Sequence, residues 1–355
     1  MSVNMVKVYY VGCSAPPRRK DWNHMKKRIV RFLKRRSRPI LLGLAAMALV
    51  LAVLLPLHRR QPPVIAVIPR TCGTYLWEAV HTGVARVAPA YGLNIYWNAP
   101  MREDDVQAQI DILSKVVQRG MKGVIVAPIE TLPLRTPVRN AVEQGTPVVV
   151  IGTDLGLAPG KNLAYVLNDE QHGGQLAARR IGHLLRGQGS IAILGIDRQL
   201  TSTADRARSL ERTLADEFPA IHVVFRSLAL PSVSQEQQVA ERLLVEGNHV
   251  DAIVALTQAS TRGAFYALTE FNRCGSTPLV GFDQNLMSPI RTGEIDSVII
   301  QNTNQMGKAA LQLMEEELHG GAKHTYVIVQ PELVTRETID SDTVQQILDL
   351  AWFQS

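Results

Sequence analysis

Short runs of valine, isoleucine and leucine alternate with amphipathic stretches from residue 64 to about residue 330. The runs predict eleven strands: Val64–Ile68, Leu93–Trp97, Gly123–Ala127, Pro147–Ile151, Leu163–Leu167, Ser190–Leu194, Ile221–Phe225, Ala252–Leu256, Pro278–Phe282, Ser297–Gln301 and Tyr326–Gln330. Most are continuously apolar, the pattern of strands covered on both faces. The stretches between them have helical spacing. Val80, Val84, Val87 and Ala88 share one face, as do Val106, Ile110, Leu113 and Val117, and the second set opens with Glu-Asp-Asp, which suits a helix N-terminus. Gly120, Gly145, Gly187 and Gly247 end helical patterns, where a left-handed cap favours glycine. Val344, Ile347, Leu348 and Ala351 predict a C-terminal helix over Ser341–Phe353. Alternating strands and helices imply an α/β fold with parallel sheets. Eleven strands are too many for one ordinary sheet, so two are expected, from βα units over 64–169 and 170–300.

The region before Val64 has a different character. ILLGLAAMALVLAVLLPL, residues 40–57, is 18 residues without a charge, enough to span a bilayer as a helix. Eight Lys/Arg lie between Lys26 and Arg38, against Arg59 and Arg60 just after the run. This asymmetry places the N-terminus in the cytoplasm and the rest outside. Met25 opens MKKRIVRFLKRRSRP and reads as a natural start for such a segment. The run ends Leu-Pro-Leu-His-Arg-Arg, with neither a small-residue cleavage site nor a lipoprotein cysteine, so it reads as an uncleaved signal-anchor, with cleavage as the alternative.

Charge sharpens the division. Residues 1–57 hold 12 Lys/Arg and one acidic residue, Asp21, giving +11, while the remaining 26 Lys/Arg face 31 Asp/Glu, giving −5. The globular part is mildly acidic and offers no nucleic-acid surface. Cys13, Cys72 and Cys274 fit neither a metal spacing nor a disulfide framework and read as structural thiols. The chain has no phosphate-loop or dinucleotide glycine motif, no Gly-x-Ser-x-Gly elbow and no His-Glu-x-x-His. No cofactor, no metal and no catalysis are expected.

The strand ends are rich in side chains that hydrogen bond. They include Arg70, Glu130, Thr153, Asp154, Asp197, Gln258, Asp283 and Gln301, with Tyr75 and Trp77 beside the first strand. In doubly wound sheets these ends converge on one crevice. Carboxylates and amides beside aromatic rings suit a neutral polyhydroxyl ligand, whose hydroxyls both donate and accept.

These blocks carry a family likeness. VIAVIPRTCGTYLWEAVHTGVARVA, EDDVQAQIDILSKVVQRGMKGVIVAP, EQGTPVVVIGTDL, VLNDEQHGGQLAARRI, STADRARSL, LVGFDQN, RTGEIDSVIIQNTNQMG and ELVTRETID follow one another in order from about 64 to 340. The sequence resembles the periplasmic sugar-binding proteins of the ribose-binding type, whose type 1 periplasmic-binding fold is shared with the ligand domains of lactose-repressor-like regulators. The resemblance implies two Rossmann-like lobes joined by three crossovers, near Asn168–Glu170, Gln301–Asn302 and Gln330–Pro331. With the N-terminal reading above, the expected segments are 1–39 a basic cytoplasmic tail, 40–57 the transmembrane signal-anchor and 58–63 a linker, and the resemblance implies 64–168 plus 302–330 as the N-terminal lobe and 169–301 plus 331–355 as the C-terminal lobe.

On that likeness Trp77 matches a ring that stacks on the sugar, while Leu76 lacks its neighbour's ring and Tyr75 is a candidate replacement. Asp283 matches the sugar-binding aspartate and Gln301 the crossover glutamine. Other positions depart: Gly152-Thr153 follows PVVVI, with Asp154 displaced; Thr257-Gln258 replaces an Asn-Asp pair; the gripping arginine falls at Ala204, with Arg206 close by. Ribose itself is therefore not expected. The implied ligand set is Tyr75, Trp77, Asp154, Arg206, Gln258, Asp283 and Gln301.

The implied function is an extracytoplasmic solute-binding protein of the bacterial cell envelope. It would hold a sugar or polyol for an ABC permease or a sensor kinase and be anchored in the inner membrane by its N-terminal helix. The alternative is a sensor or scaffold subunit that has lost sugar binding. A lactose-repressor-like regulator would need a helix-turn-helix where the basic tail and apolar run stand.

Overall fold

The computed structural model describes residues 62–348, apart from 247–248 and 322–324, together with Met47. The expected membrane segment (40–57) apart from Met47, the tail before it, the cap at Gly247 and the end of the C-terminal helix beyond Leu348 lie outside the described residues. No helix among the described residues is long and apolar enough to cross a membrane. One compact unit begins at Pro62.

Two six-stranded sheets organise it. The first takes β1 (Val64–Ile68), β2 (Asn94–Trp97), β3 (Gly123–Val126), β4 (Val148–Ile151), β5 (Leu163–Asn168) and β11 (Tyr326–Val329), in the order β11-β5-β4-β3-β1-β2, all parallel. The second takes β6 (Gln188–Ile196), β7 (Ala220–Leu228), β8 (Ala252–Ala255), β9 (Leu279–Gly281), β10 (Ser297–Gln301) and β12 (Pro331–Thr335), in the order β12-β10-β9-β8-β6-β7. Every pair in it is parallel except β10–β12, which is antiparallel. The central strands are buried along their length, as their unbroken Val/Ile runs require.

β12 is the strand that apolar periodicity misses. It opens with Pro331, which has no N–H for the ladder, and it lies at the sheet edge, where proline is tolerated.

The helices of the first lobe are α1 (Tyr75–Val87), α2 (Val106–Gln118) and α3 (Thr131–Glu143). The second has α4 (Glu170–Leu184), α5 (Thr201–Glu217), α6 (Val233–Val245), α7 (Gln258–Glu270) and the short α8 (Met287–Thr292). The chain passes to the second sheet after β5, returns after β10 through α9 (Thr303–Leu318), and crosses again between β11 and β12. Met306, Ala310, Leu313 and Met314 of α9 share a core with Ile65, Val84 and Ile125, so α9 belongs to the first lobe. The last helix, α10 (Asp342–Leu348), buries Val344 and Ile347 in the second core.

The buried face of α2 differs from the expected one. Leu113 and Val116 are fully buried, whereas Val106, Ile110 and Val117 are only half-buried. Between them Gln109 is 0% exposed. Its amide donates to Ala127 O at 2.8 Å and Pro69 O at 3.3 Å, and its Oε1 accepts from Ile129 N–H at 2.9 Å. A polar residue is tolerated here because it satisfies three backbone groups of two loops that no ladder reaches.

Candidate functional site

The carboxyl ends of the two sheets face each other across a cavity of about 450 Å³. Its walls come from loops after strands and from the first turns of helices, where a doubly wound sheet leaves room for a ligand.

Arg206, in the second turn of α5, is one of the buried charges in it. Its Nε donates to Glu170 Oε2 at 2.8 Å, Nη2 lies 2.6 Å from the same oxygen, and Nη1 donates to the Leu256 carbonyl. The guanidinium carbon sits 4.0 Å above the centre of the Phe282 ring. Close helix contact sets this position: a Cβ on Gly174 of α4 would lie 2.4 Å from the Arg206 carbonyl oxygen, so only glycine lets α4 and α5 approach as they do.

Asp283 follows β9 and is 2% exposed. It accepts from Arg262 Nε at 2.6 Å, from Gln258 Nε2 at 3.1 Å and from Asn285 N–H at 3.0 Å. Gln258 and Arg262 stand four residues apart on α7, hence on one face. At the crossover, Gln301 donates from Nε2 to Glu170 Oε1 at 3.3 Å, and its backbone N–H donates to Gln284 Oε1 at 3.2 Å. On the first lobe Trp77 is 5% exposed, packed into the core and lining the cavity, and Arg70 pairs with Glu103 at 3.2 Å.

Trp77, Arg206, Gln258, Asp283 and Gln301 thus meet in one cavity, and Leu76 lines it beside Trp77. Tyr75 and Asp154 do not line it. The Tyr75 hydroxyl turns away and donates to the Leu348 carbonyl of α10 at 2.6 Å, so it supplies no replacement ring. Asp154 is diverted by Gly152, whose φ of +81° bends the chain after β4 in a way that favours glycine. Its Oδ1 accepts from Gly156 N–H at 2.6 Å, and it lines a smaller cavity of about 230 Å³.

Glu170 and Arg262 were not among the expected residues. Glu170 opens a helix, where an acidic residue reads as ordinary dipole matching. Arg262 was legible only through its spacing from Gln258. Among the described residues no group of His, Cys, Asp and Glu is placed to hold a metal ion.

The lobes touch at the edge of the cavity. Thr131 N–H donates to Gln199 O at 3.0 Å, Thr201 N–H donates to Thr131 Oγ1 at 3.2 Å, and Thr201 Oγ1 lies 2.9 Å from Thr153 Oγ1 and 2.8 Å from Asp154 O. Backbone and side chains of the first lobe therefore meet the start of α5 directly, and the cleft is closed.

Two parallel-sheet lobes, three chain crossings and a closed polar cleft between strand ends define a bilobal binding protein. Residues 65–322 match the family described as periplasmic binding protein domain, and the chain belongs to that family. Among its relatives are a xylitol-binding protein of Mycolicibacterium smegmatis, 23% identical over 262 residues that make up 73% of each chain, and a ribose import binding protein of Bacillus subtilis, 26% identical over 61% of this chain and 70% of that one. A carbohydrate transporter solute-binding protein from Agrobacterium radiobacter, solved in complex with D-arabinose, superposes with a TM-score of 0.76 at 18% identity, covering 82% of this chain and 100% of that chain.

Proposed function

We propose that this protein is an extracytoplasmic receptor that captures a sugar or related polyol between its lobes and presents it to an ABC-type importer. The observation that carries the reading is the closed cleft, where buried carboxylate, amide and guanidinium groups converge beside the rings of Trp77 and Phe282. Such a surface matches a ring with hydroxyls on its edge and C–H groups on its face. The ligands in the relatives' names, xylitol and ribose, are compounds of that kind.

In this reading residues 64–168 with 302–330 move as one lobe and 169–301 with 331–355 as the other. The ligand bridges them, and its differential affinity holds the closed state. Residues 40–57 anchor the protein in the inner membrane with the lobes outside. Trp77 stacks, Asp283 accepts from hydroxyls, Gln258 and Gln301 donate and accept, and Arg206 donates.

Calorimetric titration of the full chain with pentoses, hexoses and polyols tests this. Binding of at least one is expected, weakened by Asp283→Ala and by Trp77→Ala. A bound sugar whose affinity neither substitution changes would place the site elsewhere. Removal of residues 1–57 is expected to shift the protein from the membrane to the soluble fraction.

A further inference from the structure

We propose that the ligand of this cleft carries a positive charge, as a polyhydroxyl compound bearing an amino group received between Glu130 and Asp197. The proposal rests on the solute-binding reading above and narrows its ligand class.

The charges on the cavity wall set the sign. Three arginines line it, Arg70, Arg206 and Arg262, against six carboxylates. Each arginine is already matched: Arg70 by Glu103 at 3.2 Å, Arg206 by Glu170 at 2.8 Å and Arg262 by Asp283 at 2.6 Å. Arg206 and Arg262 are therefore held by hydrogen-bonded protein carboxylates, whereas Arg70 Nε makes no hydrogen bond among the described residues. Of the other three carboxylates, Asp104 is paired with Arg102 at the surface. Glu130 and Asp197 have no cationic partner among the described residues, and the neighbouring Arg198 is exposed and does not line the cavity.

The fold brings the segments that carry these two carboxylates together from opposite lobes. Glu130 ends the loop after β3 and Asp197 follows β6. Thr131 N–H, next to Glu130, donates to Gln199 O at 3.0 Å, and Gln199 N–H donates to Asp197 Oδ1 at 2.8 Å. Closure therefore joins the two acidic segments through one backbone hydrogen bond. Two like charges brought to one edge of a cleft oppose closure, and a cation between them favours it.

The floor of the same cavity calls independently for a ligand with hydroxyls. Gln284 is 6% exposed and Thr303 1%, and Gln284 Nε2 and Thr303 Oγ1 have no hydrogen-bond partner among the described residues although both residues line the cavity. Asn168 Oδ1, at the first crossover, is likewise buried, unpartnered and on the wall. A donor, a hydroxyl and an acceptor left unpaired in one floor are costly unless a ligand satisfies them. A compound with hydroxyls at one end and an ammonium at the other satisfies both parts of the cleft.

The test is calorimetric titration of the full chain with matched sets: glucose, xylitol and inositol, each beside its amino-deoxy and its carboxylate counterpart. In at least one set the amine is expected to bind about tenfold more tightly than the hydroxyl compound, the scale of one charge-assisted contact. That advantage should shrink as salt is raised. In Glu130→Gln/Asp197→Asn the ratio of amine to hydroxyl affinity should fall towards one, with thermal unfolding of the ligand-free protein confirming its fold. Equal or tighter binding of the neutral or acidic member, or an amine preference that survives the double substitution, overturns the proposal and leaves the solute-binding reading standing. Failure of every member of every set to bind overturns both.

Discussion

Arg206 and Glu170 form an ion pair in which one carboxylate oxygen, Oε2, lies 2.8 Å from Nε and 2.6 Å from Nη2, with the two side chains 7% and 9% exposed. Two charges so enclosed depend on each other. Removing one partner leaves the other desolvated and alone, at a cost of about 3–5 kcal/mol. Arg206→Met and Glu170→Gln are each expected to destabilise strongly, and the double variant by clearly less than the sum. Urea denaturation of the four proteins measures the coupling; strict additivity would mean that the pair does not act as a unit.

Thr201 is the hinge-side counterpart of that pair, because it holds the lobes shut without touching the cavity floor. Its hydroxyl reaches Thr153 Oγ1 at 2.9 Å and Asp154 O at 2.8 Å, both on the first lobe. Thr201→Val keeps the shape and removes both contacts. At about 1 kcal/mol for each net hydrogen bond, closure should weaken by roughly tenfold to thirtyfold. Small-angle scattering of the unliganded variant is expected to show a larger radius of gyration than wild type. An unchanged scattering curve would assign closure to other contacts.

Gln109 supports the first-lobe side of the cleft from below. With one amide it satisfies Pro69 O, Ala127 O and Ile129 N–H, in the two loops that carry Arg70 and Glu130. Gln109→Met fills the volume but leaves those groups buried without partners, at an expected cost of about 3 kcal/mol. The change should appear in denaturant midpoint and as faster amide exchange at Ile129. Exchange at Ile129 as slow as in wild type would show that another group holds the loop.

The same residue marks where sequence reasoning ends. VIAVI, GVIV and VVVI are legible as buried strands because nothing else explains such runs between turns, and their number required two sheets. β12 escaped because Pro331 and Glu332 break the apolar pattern and its antiparallel pairing follows no βα unit. Gln109 escaped because it sits where an apolar stripe is expected, and only the loops above it explain why an amide is there. Within the site, Arg206 lines the cavity while Ala204, the position the likeness indicated, does not; two steps along a helix turn a side chain to the other side, so sequence distance alone did not choose between them. Asp154 was not legible, because its direction depends on the positive φ of Gly152, which a residue alignment does not express. Tyr75 was not, because its partner, Leu348, lies 273 positions away.

Glu236 gives the molecule a pH dependence with a definite sign. It lies in the first turn of α6, is 0% exposed, and among the described residues its carboxylate accepts only the Leu230 N–H, at 2.8 Å through Oε1, leaving Oε2 without a partner there. Burial pushes its carboxyl above the ordinary glutamate range, and the Leu230 hydrogen bond offsets this in part. Between the unfolded and the folded pKa the native state binds more protons than the unfolded state, so stability falls as pH rises through that window. Below the unfolded value, about pH 4.3, both states are protonated and the penalty is absent. Glu236→Gln retains an oxygen for Leu230 N–H and has no charge to bury. It is therefore expected to be more stable than wild type at pH 7, and the difference should vanish as pH is lowered past 4. Thermal unfolding of both proteins between pH 4 and pH 8 checks this. A gain that is constant across the range would make it a packing effect, and a loss at pH 7 would mean that the carboxylate has a cationic partner in solution. The loop that Glu236 holds, through Leu230, lines the cleft.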